Sequence, residues 1–258
     1  MRLFAEALSM PKAGNADSEY EDAYWPRHPL HGETCQRFAV ADGATETSFS
    51  GIWAKQLVRA YCSGAFDNLA DLEWLSKLRR KWWSFVRKKP LPWYSEQKLE
   101  SGTFAALVGL TLGWKSAESE KGDWHAEAIG DSCLFQLRGS HLLTKFPLLS
   151  SQDFTNSPAL LSSKPGNDSG VSAVVSATGE WQSGDHFYLM TDAVAAWFFR
   201  AHERNEAPWE VIRDLDNERD HPVVAQSGMK SFREWVDTAR TQGLMRNDDV
   251  TIYRIEIV

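Results

Sequence analysis

Four aspartates stand at the ends of short apolar runs. Asp42 closes Phe38-Ala39-Val40-Ala41 and is followed by Gly43, Asp192 closes Phe187-Tyr188-Leu189-Met190-Thr191, Asp248 comes just before Val250–Ile257, and Asp131 lies between two apolar segments in Gly130-Asp131-Ser132. A single strand ending in Asp-Gly is ordinarily a turn, because glycine accepts positive φ and aspartate bonds to nearby backbone. The repetition adds a second reading. Apolar strands of one core carry their tips to shared edges, so the carboxylates of several tips can meet. Crowded carboxylates raise one another's pKa and cost stability unless cations lie among them. Oxygen donors, with no His or Cys at ligand spacing, suit hard ions, Mg²⁺ or Mn²⁺. Two such ions can hold a bridging hydroxide and polarise a phosphoryl group. That reading requires the tips to share one edge of the fold.

The surrounding pattern supplies the elements. Residues 2–8 alternate weakly and suit a first strand, and Phe38–Ala41 suits a buried one. From Ser50 the period changes: Ile52, Trp53, Leu57, Val58 and Tyr61 fall at helical spacing, with Ser48 or Ser50 as N-cap and Gly64 as the stop. A second helix is expected from about Asp67 to Val86, ended by Pro90 and Pro92. After Ser101-Gly102-Thr103, closely spaced strands are expected at Phe104–Leu112, Trp124–Ile129, Cys133–Arg138 and His141–Lys145, and hairpin spacing makes the sheet antiparallel. Residues 146–170 read as one long loop, either a functional flap or a poorly ordered surface segment. Strands follow at Val171–Ser176, His186–Thr191 and Val250–Ile257, and helices at about 194–203, 207–215 and 229–241. No repeat or linker divides the chain, so one domain over residues 1–258 is expected.

Composition narrows the class. A chain of 258 residues, 43% hydrophobic and 24% charged, is ordinary for a globular protein and long enough for a sizeable core. A net charge of −7 leaves no electrostatic footprint for nucleic acid. Cys35, Cys62 and Cys133 are far apart, which argues against a disulfide framework or thiolate zinc site and fits a reduced, cytoplasmic compartment. No stretch suits a signal peptide or a membrane span, so no membrane partner is expected. The 12 tryptophans are expected in the core and on amphipathic surface, and no cofactor is read from them. The basic, aromatic run from Lys77 to Lys89 is either a docking surface for an acidic partner or a solvated helix with its aromatics turned inward. His125, His186, His202 and His221 have no spacing that suggests a ligand set.

Taken in order, Glu21-Asp22-Ala23, Ala41-Asp42-Gly43, Ser101-Gly102-Thr103, Gly130-Asp131-Ser132, Met190-Thr191-Asp192 and Asp248-Asp249-Val250-Thr251 resemble the metal-dependent protein phosphatase 2C family, in its bacterial form, from about residue 10 to the end. The resemblance implies an α+β fold, a four-layer αββα sandwich of two antiparallel sheets flanked by helices. It implies a centre of two Mg²⁺ or Mn²⁺ ions. Asp42 would bridge them, the Gly43 carbonyl would ligate one, and Asp192 and Asp248 would bind the other. Asp22, with Glu21 beside it, would hold metal-bound water, and Asp131 would help to bind a third, looser ion. The implied activity is that of a serine/threonine phosphatase. Asp22, Asp42, Asp192 and Asp248 would form the catalytic set, and the dimetal-bridging hydroxide would attack a phosphorylated protein substrate in line, with no covalent phosphoenzyme. Residues 146–170 fall where the family carries a variable flap beside its active site.

Three positions depart from the family pattern. Ala44-Thr45 stands where many members have His-Gly or Met-Gly, so a metal-bound water would have to protonate the leaving group. Asp17 stands near the place of an arginine that grips substrate phosphate. Thr191-Asp192-Ala193 replaces Thr-Asp-Gly. These departures keep two alternatives open: a degenerate phosphatase that binds a phosphorylated partner without turning it over, and a phosphatase of small phosphorylated metabolites. Asp249 is an alternative ligand to Asp248, although the motif register favours Asp248. Glu21 reads as a surface or supporting group, and Thr103 as packing beneath the site.

Overall fold

The computed structural model describes residues 2–26, 34–44, 49–66, 68–88, 102–116, 118–216 and 230–258. The elements run β1 (Leu3–Met10), β2 (Ala23–Trp25), β3 (Cys35–Gly43), α1 (Ser50–Cys62), α2 (Leu72–Val86), β4 (Phe104–Gly113), β5 (Lys121–Ile129), β6 (Cys133–Arg138), β7 (His141–Phe146) and β8 (Leu161–Ser162). They continue with β9 (Val175–Gln182), β10 (Asp185–Met190), α3 (Asp192–Glu203), α4 (Pro208–Arg213), β11 (Leu215–Asp216), β12 (Lys230–Ser231), α5 (Phe232–Thr241) and β13 (Val250–Ile257). One sheet has the order β1-β13-β10-β6-β7 and the other β2-β3-β4-β5-β9, with β8 added to β4. Neighbours within both sheets are antiparallel, while β11 and β12 form a separate parallel pair.

Side-chain alternation along the strands builds the layers. In β3, Phe38 and Val40 point between the sheets while Ala39 and Ala41 lie under α1 and α2. In β10, Phe187 and Leu189 point between the sheets while Tyr188 and Met190 face the layer of α3, α4 and α5. In β4, Val108, Leu110 and Leu112 join the inter-sheet core, and Ala105 and Leu107 face the helices. This strand is buried on both faces, which is why it reads as an unbroken apolar run. A Cβ on Gly109 of β4 would come within 2.3 Å of the Tyr61 ring, so this glycine leaves room for α1 to lie on the sheet. The result is the αββα sandwich expected from the sequence.

Several boundaries move. The strand ending at Ala41 in the sequence reading runs on through Asp42 and Gly43, which pair with Ala106 and Ala105. The expected strand at Val171–Ser176 is a 3₁₀ turn at Val171–Ala173 followed by β9. The second helix starts at Leu72, with the Asp71 carboxylate accepting from the Glu73 amide as N-cap. Helix α1 is not capped by Ser50. Phe49 is the N-cap, in the left-handed region, and Ser50 is already helical. Thr45, Ser48, Asp67, Pro90, Pro92, Ser101 and His221 lie outside the described residues.

Tryptophans fill all three interior layers: Trp53, Trp74 and Trp82 under the first two helices, Trp124 and Trp181 between the sheets, Trp197 and Trp209 beneath α3–α5. Each such burial contributes about 2–3 kcal/mol of apolar transfer free energy. Among the described residues no helix is long and apolar enough to cross a membrane.

Candidate metal centre

Strand register brings the aspartates to one end of the sandwich. Ala23 pairs with Ala41, Gly43 with Ala105 and Leu107 with Ile129, so the start of β2, the tip of β3 and the end of β5 share an edge. In the other sheet Met190 pairs with both Ile252 and Cys133, and Met10 with Val250. The turn at Gly130-Asp131-Ser132 passes from β5 to β6, joining the matching ends of the two sheets. Asp42, Asp131, Asp192 and Asp248 consequently line one cleft of about 280 Å³, together with Ala44, Arg246 and Thr155, Asn156, Pro158 and Leu160 of the 146–170 segment. Asp22 is buried behind it.

Each position has a local cause. Gly43 is required by closeness, not by a turn: a Cβ there would lie 2.8 Å from the Glu21 carbonyl oxygen and 2.8 Å from the Ser50 carbonyl carbon. Gly130 has φ +90°, and a Cβ on it would also meet the Ala106 side chain at 2.6 Å. The resulting turn presents Asp131 to the cleft. Asp192 is the first residue of α3, where the helix dipole favours a carboxylate. The Asp22 Oδ2 accepts a 2.7 Å hydrogen bond from Thr251 Oγ1 in β13, and the Thr251 amide donates to Thr191 Oγ1 at 3.0 Å. The hydroxyls of Tyr20 and Thr251 are also hydrogen-bonded.

Asp249 and Glu21 support the site from outside it. The Asp249 carboxylate accepts from the Lys12 amide at 2.8 Å and from the Glu21 amide at 2.6 Å, which ties the chain before β2 to the start of β13. Both Asp249 oxygens are thus engaged, and Asp248 is the residue that lines the cleft. The Glu21 side chain accepts from Ser50 Oγ at the start of α1.

The electrostatics are those of a site short of positive charge. Burial pushes the Asp22 carboxyl well above the usual range, and Asp249 and Asp192 push it further. Asp42 is raised well above that range by desolvation and then by Asp22, Asp192, Asp131 and Asp248. Burial and Asp192 carry Asp131 up to about 7, against the pull of Arg246. Burial also raises Asp192, with Arg246 opposing. Asp22 Oδ1 and Asp192 Oδ1 are buried without a hydrogen-bond partner among the described residues. Orphaned carboxylate oxygens amid repelling carboxylates fit a hard divalent cation. The described residues do not form a closed cage, since no three His, Cys, Asp or Glu side chains are gathered as a ready metal site.

Arg246 is the cleft residue that sequence reasoning missed. Its guanidinium bonds to Asp192 Oδ2 and lies 2.8 Å from Asp248 Oδ2, with the side chain 55% exposed. The sequence reading looked for an arginine only upstream of Glu21-Asp22. The available signal was a basic residue two positions before Asp248, on the same short loop. The 146–170 segment is tied down and does not read as a loose surface loop. Leu161 carbonyl accepts from Trp53 Nε1 at 2.9 Å, and Arg79 donates to the carbonyls of Ser162 and Asn167 and pairs with Asp168 at 2.6 Å. Arg79 is therefore buried and structural, while Arg80 and Lys81 are exposed. Of the aromatics on α2, Trp74 and Trp82 face the core, but Trp83 and Phe85 face out.

A two-sheet sandwich with carboxylates lining a cleft at one end of its inter-sheet seam is an arrangement that suits a hard cation. The family model for protein phosphatase 2C matches residues 17–247, and the chain belongs to that family of metal-dependent protein phosphatases. The match ends one residue before Asp248. The chain is similar in structure to the Mycobacterium tuberculosis serine/threonine phosphatase PstP/Ppp, with 17% identity, 99% of this chain and 98% of that one covered, and a TM-score of 0.57. It is similar to the catalytic domain of PstP in complex with 2 manganese ions, at 17% identity, 99% and 98% coverage and a TM-score of 0.55. It is also similar to the photosystem II phosphatase PBCP, at 14% identity, 100% and 99% coverage and a TM-score of 0.54. At these identities the likeness shows the fold. No curated protein matches the chain in sequence.

Proposed function

We propose that this chain is a divalent-cation-dependent phosphatase of phosphoserine and phosphothreonine proteins. The observation that supports it is the gathering of Asp42, Asp131, Asp192 and Asp248, from four separate elements, around one cleft. In this reading Asp42, the Gly43 carbonyl, Asp192 and Asp248 hold two Mg²⁺ or Mn²⁺ ions, Asp22 holds solvent beside them, and Asp131 contributes to a third. Ions bound there supply Lewis acidity toward a phosphoryl oxygen and lower the pKa of a water.

The chain's own residues orient and select. Strand tips and the first turn of α3 fix the carboxylates, and Thr251 and Asp249 hold Asp22 and its neighbour in place. Thr155 and Asn156 offer neutral hydrogen-bonding groups at the rim. A cleft of about 280 Å³ admits a phosphorylated side chain.

A second reading, a phosphoprotein-binding chain without turnover, draws support from Arg246, because its ion pairs already bring positive charge to Asp192 and Asp248. Phosphate release from phosphoserine and phosphothreonine peptides separates the two. We expect release that requires Mn²⁺, stops with EDTA, and is lost in Asp42→Asn and Asp192→Asn. Peptide binding with no release at saturating Mn²⁺ would favour the second reading. Unchanged turnover in both variants would remove the metal assignment.

A further inference from the structure

Arg246 is a half-exposed guanidinium in a cleft otherwise charged by aspartates. It is paired with two carboxylates at once, Asp192 and Asp248, through a single terminal nitrogen, while its Nε also donates to Asp248 Oδ2 at 3.0 Å. Two features make this arrangement conditional. The carboxylates that hold Arg246 are those that the proposed function assigns to divalent ions, and an ion of charge +2 on them opposes a guanidinium at the same oxygens. The side chain is also long and 55% exposed, so it can leave them without unpacking the core. A guanidinium displaced at the mouth of a phosphatase cleft has one natural partner. Its planar fork matches two phosphoryl oxygens better than any other side chain. Among the described residues lining the cleft Arg246 is the cationic one, the others being acidic, neutral polar or apolar.

We propose that Arg246 binds the phosphoryl oxygens of the substrate, and that divalent cations release it for that task by taking Asp192 and Asp248 from it. The inference rests on the metal-dependent reading above. It gives this chain a phosphate-gripping residue from the loop before β13, in place of one from the segment before β2. It also makes Arg246 a competitor of the ions for Asp192 and Asp248.

The test uses the whole chain as wild type, Arg246→Gln and Arg246→Lys, with folding checked by circular dichroism. Calorimetry first measures Mn²⁺ affinity without substrate, and then the affinity of inorganic phosphate for the Mn²⁺-loaded protein. Loss of charge-assisted hydrogen bonds predicts that Arg246→Gln binds Mn²⁺ about tenfold more tightly and phosphate about tenfold to a hundredfold more weakly. Arg246→Lys, which keeps the charge but not the fork, should fall between on phosphate. Phosphate affinity unchanged in Arg246→Gln overturns the proposal, even if Mn²⁺ binds more tightly, because the arginine is then a counter-ion alone. Mn²⁺-loaded wild type that fails to bind phosphate also overturns it. Failure of wild type to bind Mn²⁺ at all would instead overturn the metal-dependent reading on which the proposal stands.

Discussion

The carboxylate cluster predicts an unusual pH dependence for the metal-free chain. Asp131 is carried from an ordinary 3.8 to about 7, chiefly by burial and then by Asp192. A carboxyl raised on folding binds its proton more tightly in the native state. Its contribution to stability is therefore fully present below about pH 4 and lost as pH rises through about 7. The difference between 3.8 and about 7 corresponds to about 4 kcal/mol as an upper bound, at 1.36 kcal/mol for each tenfold step. Asp192 is raised as well, and its repulsion of Asp131 fades whenever it is protonated, so we expect a loss of about 2 kcal/mol. For a chain of this length that is a fall of about 4–8 °C in Tm. The measurement is thermal unfolding by circular dichroism in EDTA from pH 4 to 8, for wild type and Asp131→Asn. His186 is lowered by burial and works in the opposite direction, as a group that resists protonation at acid pH. The wild-type-minus-variant difference removes it. The two proteins should coincide near pH 4, and Asp131→Asn should be the more stable by about 2 kcal/mol at pH 8. Saturating Mn²⁺ should reverse the wild-type slope, because ions bind the deprotonated carboxylates. A difference that stays flat between pH 5 and 8 in EDTA would refute the reasoning.

Three further predictions follow from the groups that position the cluster. Gly43→Ala places a Cβ against backbone atoms at 2.8 Å, so it should cost about 1–3 kcal/mol in urea unfolding and weaken Mn²⁺ binding; a variant with wild-type Mn²⁺ affinity would show that the tip of β3 tolerates movement. Thr251→Val removes the donor to Asp22 Oδ2 and should cost about 1–3 kcal/mol, whereas Thr251→Ser should stay near wild type; equal losses in both would assign the effect to packing. Arg79→Gln frees the carbonyls of Ser162 and Asn167, so limited proteolysis should cut the 146–170 segment faster than in wild type, while Arg80→Gln and Lys81→Gln should leave the rate unchanged.

The layers were legible because the signals are local. β6 and β13 have the expected bounds, and β10 begins and ends one residue earlier than expected. The order of the aspartates was legible for the same reason, each being attached to a strand tip. Their meeting was not, because it depends on register across two sheets: Gly43 against Ala105 in one, Met190 against Cys133 in the other. Asp42-Gly43 shows the limit most clearly. Asp-Gly reads locally as a turn, yet the strand continues through both residues, and glycine is needed because Glu21 and Ser50 approach from other segments. The structural role of Arg79 was not legible for a related reason. Within a run of basic residues nothing local separates the side chain that reaches across to Asp168 from Arg80 and Lys81, which face solvent.

Asp249 and Arg246 offset part of the repulsion within such a cluster. One carboxylate of the acidic set, Asp249, is satisfied by backbone amides from the opposite end of the chain, so it positions Asp22 while lying outside the cleft lining. Two others, Asp192 and Asp248, share one guanidinium. Asp22, Asp42 and Asp131 have raised proton affinity, as does Asp192 despite Arg246, and among the described residues Asp22 and Asp192 each keep one unpartnered buried oxygen. In the metal-dependent reading proposed above, cation binding would offset part of that cost. Substitutions that neutralise a cluster member should therefore stabilise the metal-free protein while weakening its affinity for Mn²⁺. Removing a supporting group such as the Thr251 hydroxyl should lower both. This opposition in sign separates a ligand from its support without reference to catalysis.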